Sequence, residues 1–98
     1  MFLIRRDWRN YVRQYAAARK ALDVFAATVE KSAWRHPQDV KDTFRTASII
    51  GRGSDRVVFN IKGNEFRLIV RIDYARQIVD IRWFGTHAAY DRIDVLNV

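Results

Sequence analysis

Ninety-eight residues suffice for one domain, here taken as 1–98, with a single core, and the absence of cysteine excludes disulfides, thiolate metal sites and a cysteine nucleophile. Apolar residues make up 49% of the chain but are dispersed, far short of the roughly 20-residue run that a membrane span needs. Eighteen basic residues against eleven acidic ones leave a net charge of +7, and fourteen of the eighteen are arginine, which favours a polyanionic partner, nucleic acid ahead of membrane.

The chain opens with a short apolar run, Met1–Ile4, predicted as a strand. No basic segment followed by a long apolar one appears there, so no secretion signal is expected and the cytoplasm is the default compartment. From Asp7, a suitable N-cap, residues Trp8, Tyr11, Val12 and Tyr15 recur at helical spacing. Leu22, Phe25, Ala26, Val29 and Ala33 define a second amphipathic stretch, with the break between the two helices near Arg19. Pro37 suits a first helical position and begins a third helix reaching Phe44. Beyond Thr46 the period changes to two. Ser48–Gly51, Arg56–Lys62, Glu65–Asp73 and Ile78–Phe84 read as strands, with Gly51, Gly53 and Gly63-Asn64 as turns. Thr86 caps a closing helix that runs to about Val95. The order predicts an α+β domain: an N-terminal strand and helical hairpin packed on a mainly antiparallel sheet, with a short C-terminal helix.

The register follows from the turns. With Gly63-Asn64 as a two-residue hairpin loop, Ile61 faces Phe66, Phe59 faces Leu68 and Val57 faces Val70, so every apolar pair falls on one face. Asn60, Lys62 and Arg67 then occupy the other face. In the next hairpin, pairing Val70 with Ile81 and Leu68 with Trp83 sets Arg71 opposite Asp80, Ile69 beside Arg82 and Arg67 beside Phe84. Arg71 is thereby explained as one half of a cross-strand ion pair. Arg67 has no acidic residue opposite it, and it lies toward the same sheet end as Lys62, Gly85 and His87.

That convergence has chemical content. Arginine grips phosphate and stabilises the added negative charge of a pentacoordinate phosphorane. Histidine exchanges protons near neutral pH. Tyrosine donates to phosphate or stacks on a base, and the helix start after Thr86 presents backbone N–H groups. RNA carries its own nucleophile, the 2′-hydroxyl, so its cleavage calls for no metal. Each residue also has a structural explanation: His87 as a helix-start histidine, Tyr90 as packing, Arg67 as a solvated arginine, Lys62 as a turn residue facing Glu65. Trp8, Trp34 and Trp83 hold core-type positions. Taken this far, the residues fit an RNA-cleaving enzyme, a non-catalytic RNA-binding or ribosome-associated module, or a domain whose basic face meets an acidic protein.

Two longer stretches, Val57-Val58-Phe59-Asn60-Ile61-Lys62-Gly63-Asn64-Glu65-Phe66-Arg67-Leu68-Ile69-Val70 and Ile81-Arg82-Trp83-Phe84-Gly85-Thr86-His87-Ala88-Ala89-Tyr90-Asp91, closely resemble the HigB toxins. Trp34 with Pro37-Gln38-Asp39-Val40-Lys41, and Arg92-Ile93-Asp94, extend the likeness over essentially the whole chain. The resemblance implies a RelE-like α+β fold and a metal-independent, cofactor-free mRNA interferase acting in the ribosomal A site. It also implies a HigA-like helix-turn-helix antitoxin as partner, through which operator DNA is bound indirectly, and no membrane. On the resemblance, Arg67 matches the strand arginine that contacts the scissile phosphate, and His87 takes the place of a basic residue. Tyr90 stands for the C-terminal-helix tyrosine, and Lys62 for a site lysine. Asn60, Asn64, Arg82 and Arg56 are expected to contact RNA around them. Where the family commonly carries an acid this chain has Ala89, so half of a capping box with Thr86 is missing.

Overall fold

The computed structural model describes residues 2–5, 9–51 and 55–98; Asp7, Trp8 and Gly53 lie outside the described residues, as do the side chains of Tyr11 and Val12. In chain order the elements are β1 (Leu3–Arg5), α1 (Arg9–Gln14), a 3₁₀ turn (Ala16–Ala18), α2 (Arg19–Lys31), α3 (Pro37–Thr43), β2 (Ser48–Ile50), β3 (Arg56–Ile61), β4 (Phe66–Asp73), β5 (Ile78–Thr86), α4 (His87–Tyr90) and a closing 3₁₀ turn (Val95–Asn97). The sheet runs β1-β5-β4-β3-β2, with β1 parallel to β5 and every other pair antiparallel. This is the α+β arrangement expected of a RelE-like fold.

One face of the sheet carries the core. Val57, Phe59, Ile61, Phe66, Leu68, Val70, Ile72, Val79, Ile81 and Phe84 meet Leu22, Phe25 and Val29 of α2, with Trp34 and Val40 beyond it. Phe59 is gripped between Phe25 (ring centroids 4.8 Å) and Phe44 (5.1 Å). Tyr15 lays its ring edge-on against both Phe66 and Phe84. The first helical stretch breaks at Tyr15, as the boundary near Arg19 required. α2 stops at Lys31, where Ser32 turns extended and returns its Oγ to the Thr28 carbonyl at 2.7 Å. Ala33, assigned to that helix from its spacing, therefore lies beyond it and is exposed.

The β3–β4 register is the one the sequence dictates, from Arg56↔Arg71 to Ile61↔Phe66. The β4–β5 register is not. A β-bulge between Ile69 and Val70 keeps Val70↔Ile81 and Arg71↔Asp80 but shifts everything beyond, giving Ile69↔Trp83, Leu68↔Phe84 and Arg67↔Gly85. Arg82 is the extra residue, with no ladder partner of its own. The physical reason is burial: Ile81 and Phe84 are three apart, and both reach the core only if one residue is bulged out. Trp83 consequently leaves the core face that the simple alternation gives it and stands half-buried on the opposite face, where Val58 and Ile69 are themselves covered.

The closing helix is also shorter than its pattern suggests. Thr86 caps it as expected, its Oγ1 accepting from Ala89 N–H at 3.2 Å, but α4 is a single turn. Arg92 and Ile93 N–H close i→i+3 bonds to Ala89 and Tyr90, and Asp94 then takes Leu96 N–H at 3.2 Å, starting the last 3₁₀ turn. The Asp94 side chain thus competes with continuation of the helix.

Candidate RNA-cleavage site

The end of the sheet where β3 turns into β4 and β5 enters α4 is built around Arg67. The turn Lys62–Glu65 is closed by Glu65 N–H donating to the Lys62 carbonyl at 3.2 Å, with Gly63 at φ +64° and Lys62 itself at +54°. Asn64 sits at its tip and reaches forward along the chain to Arg67. Its carbonyl accepts from Arg67 Nη1 at 3.2 Å, and its side-chain Oδ1 accepts from Nη2 at 2.7 Å. The Phe66 carbonyl takes the second hydrogen of Nη1 at 3.2 Å. Arg67 is only 9% exposed, and its guanidinium carbon lies 5.8 Å from the centre of the Tyr90 ring, a cation–π contact. Three of its five hydrogens are thus committed on one side. Among the described residues no acceptor meets Nε or the remaining hydrogen of Nη2, which together form the side-on fork that binds phosphate through two oxygens.

His87 is brought to the same corner. Gly85 pairs with Arg67 and Thr86 with Phe66, and the His87 N–H continues the ladder by donating to the Glu65 carbonyl at 2.9 Å. Its side chain is exposed, and among the described residues it makes no hydrogen bond or ion pair. His87 and Ala89 N–H are already bonded, so of the helix-start groups that the sequence reading offered to an anion two are engaged within the chain. Lys62 is exposed and lies 3.5 Å from the Glu65 carboxylate, so it belongs to the turn as well as to the corner. Asn60 faces Arg67 across the ladder.

Arg56 and Arg82 stand elsewhere. Arg56 pairs with Arg71, four positions along β4 from Arg67 or about 13 Å away. Its Nη2 donates to the Val98 carbonyl at 2.8 Å; Arg82 donates to the same oxygen at 3.3 Å and to Asp80 at 3.1 Å. Arg71 faces Asp80 in register, yet its guanidinium closes on Asp55 Oδ2 at 3.0 and 2.8 Å, so its ion-pair partner differs from the expected one. That bond holds the Asp55 carboxyl below the ordinary carboxylate range and raises the Arg71 guanidinium. A concavity of about 450 Å³ opens at that opposite end, lined by Arg5, Asp55, Arg71, Asp73 and Arg76 among others. Its three arginines are offset by three aspartates, Arg71 closing on Asp55 and Arg76 lying 3.8 Å from Asp73.

A family model described as HigB_toxin, the RelE-like toxic component of a toxin-antitoxin system, matches residues 18–93. The chain belongs to the HigB toxin family. As the toxic member of such a pair it has an antitoxin for a partner. No curated protein matches it. Among the described residues no helix is long and apolar enough to cross a membrane. Within this HigB toxin the structure assembles Arg67, Tyr90 and Asn64 in direct contact and brings the main chain of His87 beside them. It also makes Asn64 a support for Arg67, whereas the sequence had suggested only an RNA contact. Trp83, given a core-type position by its spacing, stands instead on the face that carries Arg67. The three-residue step from Ile81 to Phe84 and the glycine at 85 were the signals that could have found it.

Proposed function

We propose that this toxin is a ribosome-dependent mRNA endoribonuclease, cutting in the A site and neutralised in the cytoplasm by a HigA-like helix-turn-helix antitoxin that carries the pair to operator DNA. The observation that supports it best is the Arg67 guanidinium, fixed on one side by Asn64 and Phe66 oxygens, in cation–π contact with Tyr90, and open on its two-hydrogen side. In this reading the fork takes two oxygens of the scissile phosphate and stabilises the phosphorane that forms as the 2′-oxygen attacks. The 2′-hydroxyl proton passes to a base and the departing 5′-oxygen gains one, leaving a 2′,3′-cyclic phosphate and a 5′-hydroxyl. His87, exposed at the same corner as Arg67, is the group proposed to exchange a proton with the reacting oxygens. Tyr90 steadies the guanidinium through the cation–π contact, and Lys62 adds positive charge at the rim. No metal enters the scheme. Asn60 extends the contact with RNA beside Arg67, and Arg56 and Arg82, engaged with the Val98 carbonyl, add positive charge farther along the same face.

The test is induction of the wild type and of Arg67→Ala combined with His87→Gln, followed by mapping of RNA 5′ ends. Cuts at defined codon positions in the first and none in the second are expected. Equal growth inhibition by both forms, or toxicity with intact messages, overturns the proposal.

A further inference from the structure

Trp83 stands outside the main core and the proposed chemistry, opposite the fully buried Ile69 on the second face of the sheet. The bulge at Arg82 removes it from the buried face and leaves it half-buried on the open one, two residues from Gly85. There the indole folds over that glycine: a Cβ at position 85 would lie 2.7 Å from both Cη2 and Cζ2, so the ring needs a residue without a side chain beneath it. Gly85 is the ladder partner of Arg67, which puts the six-membered ring within about one strand spacing, roughly 4.8 Å, of the Arg67 main chain. The ring also lies against Tyr90, centroids 6.4 Å apart and tilted by 50°, and Tyr90 in turn meets the Arg67 guanidinium. Among the described residues the indole N–H has no acceptor. A half-buried tryptophan with an unengaged donor, seated on a glycine beside a phosphate-gripping arginine, has the composition of a nucleobase platform, where an aromatic face takes the base and a cation takes its phosphate.

We propose that Trp83 is the base-stacking residue of this site: it receives the base of the nucleotide whose phosphate Arg67 holds, and the ligand is a single-stranded ribonucleotide unit read by stacking, not by sequence. This rests on the phosphate-grip reading of Arg67. Trp83 is a binding residue, and the proton transfers do not pass through it.

The experiment titrates the full chain, followed by NMR of the Trp83 indole and Arg67 Nε–H resonances, with two probes: inorganic phosphate and a nucleoside 3′-monophosphate. The nucleotide is expected to shift both resonances and to bind about tenfold more tightly than phosphate. Trp83→Leu should abolish that tenfold gain while phosphate still shifts Arg67, and Trp83→Phe should recover most of it. Arg67→Ala should lose both ligands. If phosphate binds at Arg67 but the base adds nothing, or the Trp83→Leu chain binds nucleotide as the wild type does, the platform is wrong and the indole is left to a protein partner. If neither probe perturbs Arg67, the phosphate grip itself fails and the platform falls with it.

Discussion

Replacing Asn64 in two ways separates what Arg67 needs for stability from what it needs for chemistry. Asn64→Ala removes the 2.7 Å acceptor of Nη2 but leaves the Asn64 and Phe66 carbonyls on Nη1. A hydrogen bond to a charged group contributes about 1.5–3 kcal/mol when water cannot replace it. Here Asn64 is exposed and water can reach Nη2, so the cost to folding is nearer 1 kcal/mol. The guanidinium is then held by one nitrogen and can swing about it, and displacement of a reacting contact by about 1 Å costs on the order of 10²-fold in rate. Asn64→Asp keeps the acceptor and makes it anionic, which should leave stability unchanged or raise it by up to about 1 kcal/mol. It also sets a carboxylate roughly 5 Å from the bound phosphate, a repulsion of about 3 kcal/mol at an effective dielectric near 20, again about 10²-fold. The two chains should therefore move apart in urea melts and fall together in cleavage of mRNA on programmed ribosomes. Cleavage by a folded Asn64→Ala chain within threefold of wild type would refute the reasoning, as would full activity of the Asn64→Asp chain.

Two further outcomes follow from the packing and the charges. Phe59→Ala empties the space between Phe25 and Phe44 and should cost about 3–5 kcal/mol, lowering the Tm by roughly 15–30 °C in a calorimetric scan. Asp55 has a folded pKa below its unfolded value of about 3.8 because Arg71 donates to it. Its stabilising contribution is therefore complete above that value and is lost as pH falls through the lower, folded one. The stability gap between wild type and Asp55→Asn should accordingly hold constant at neutral pH and close below about pH 4, as read from urea melts across pH; a gap independent of pH there contradicts the assignment.

Much of this fold is written in its periodicities. The step from period 3.6 to period two after Thr46, Pro37 at the start of α3 and the pairing of Val57, Phe59 and Ile61 with Val70, Leu68 and Phe66 are all legible without coordinates. The presence of Arg67, Lys62 and His87 at one sheet end follows from the same alternation. What escaped was every feature that depends on a competition between neighbours. Arg71 faces both Arg56 and Asp80 across its two ladders, and the like charge directly opposite turns its guanidinium to Asp55, outside the ladder pairs that sequence can enumerate. Asn64 reads as a turn former, and its side chain's reach three residues forward to hold an arginine is a matter of rotamer that periodicity does not encode. The shortening of α4 shows first in the i→i+3 bonds of Arg92 and Ile93 N–H, after which the Asp94 carboxylate takes Leu96 N–H and starts a separate turn in a stretch whose pattern is otherwise helical.

The bulge makes its own argument about Arg82. If that residue is deleted, the remaining order Asp80, Ile81, Trp83, Phe84, Gly85 alternates perfectly, with Ile81 and Phe84 on the core face and Asp80, Trp83 and Gly85 on the open one, in the pairing the intact chain already has. Deletion of Arg82 should therefore preserve the fold. It trades the bonds to Asp80 and the Val98 carbonyl for a regular ladder, at a net cost within about 2 kcal/mol. Deleting Arg71 from the facing strand is the contrast, since it would send the buried Ile72 to the open face and draw Asp73 toward the core. Circular dichroism melts should show a cooperative transition for the first deletion and none for the second. A chain without Arg82 that fails to fold would mean the bulge serves the sheet. One that folds as expected means the hydrophobic pattern never required residue 82, and its place is accounted for by what the guanidinium meets on the open face.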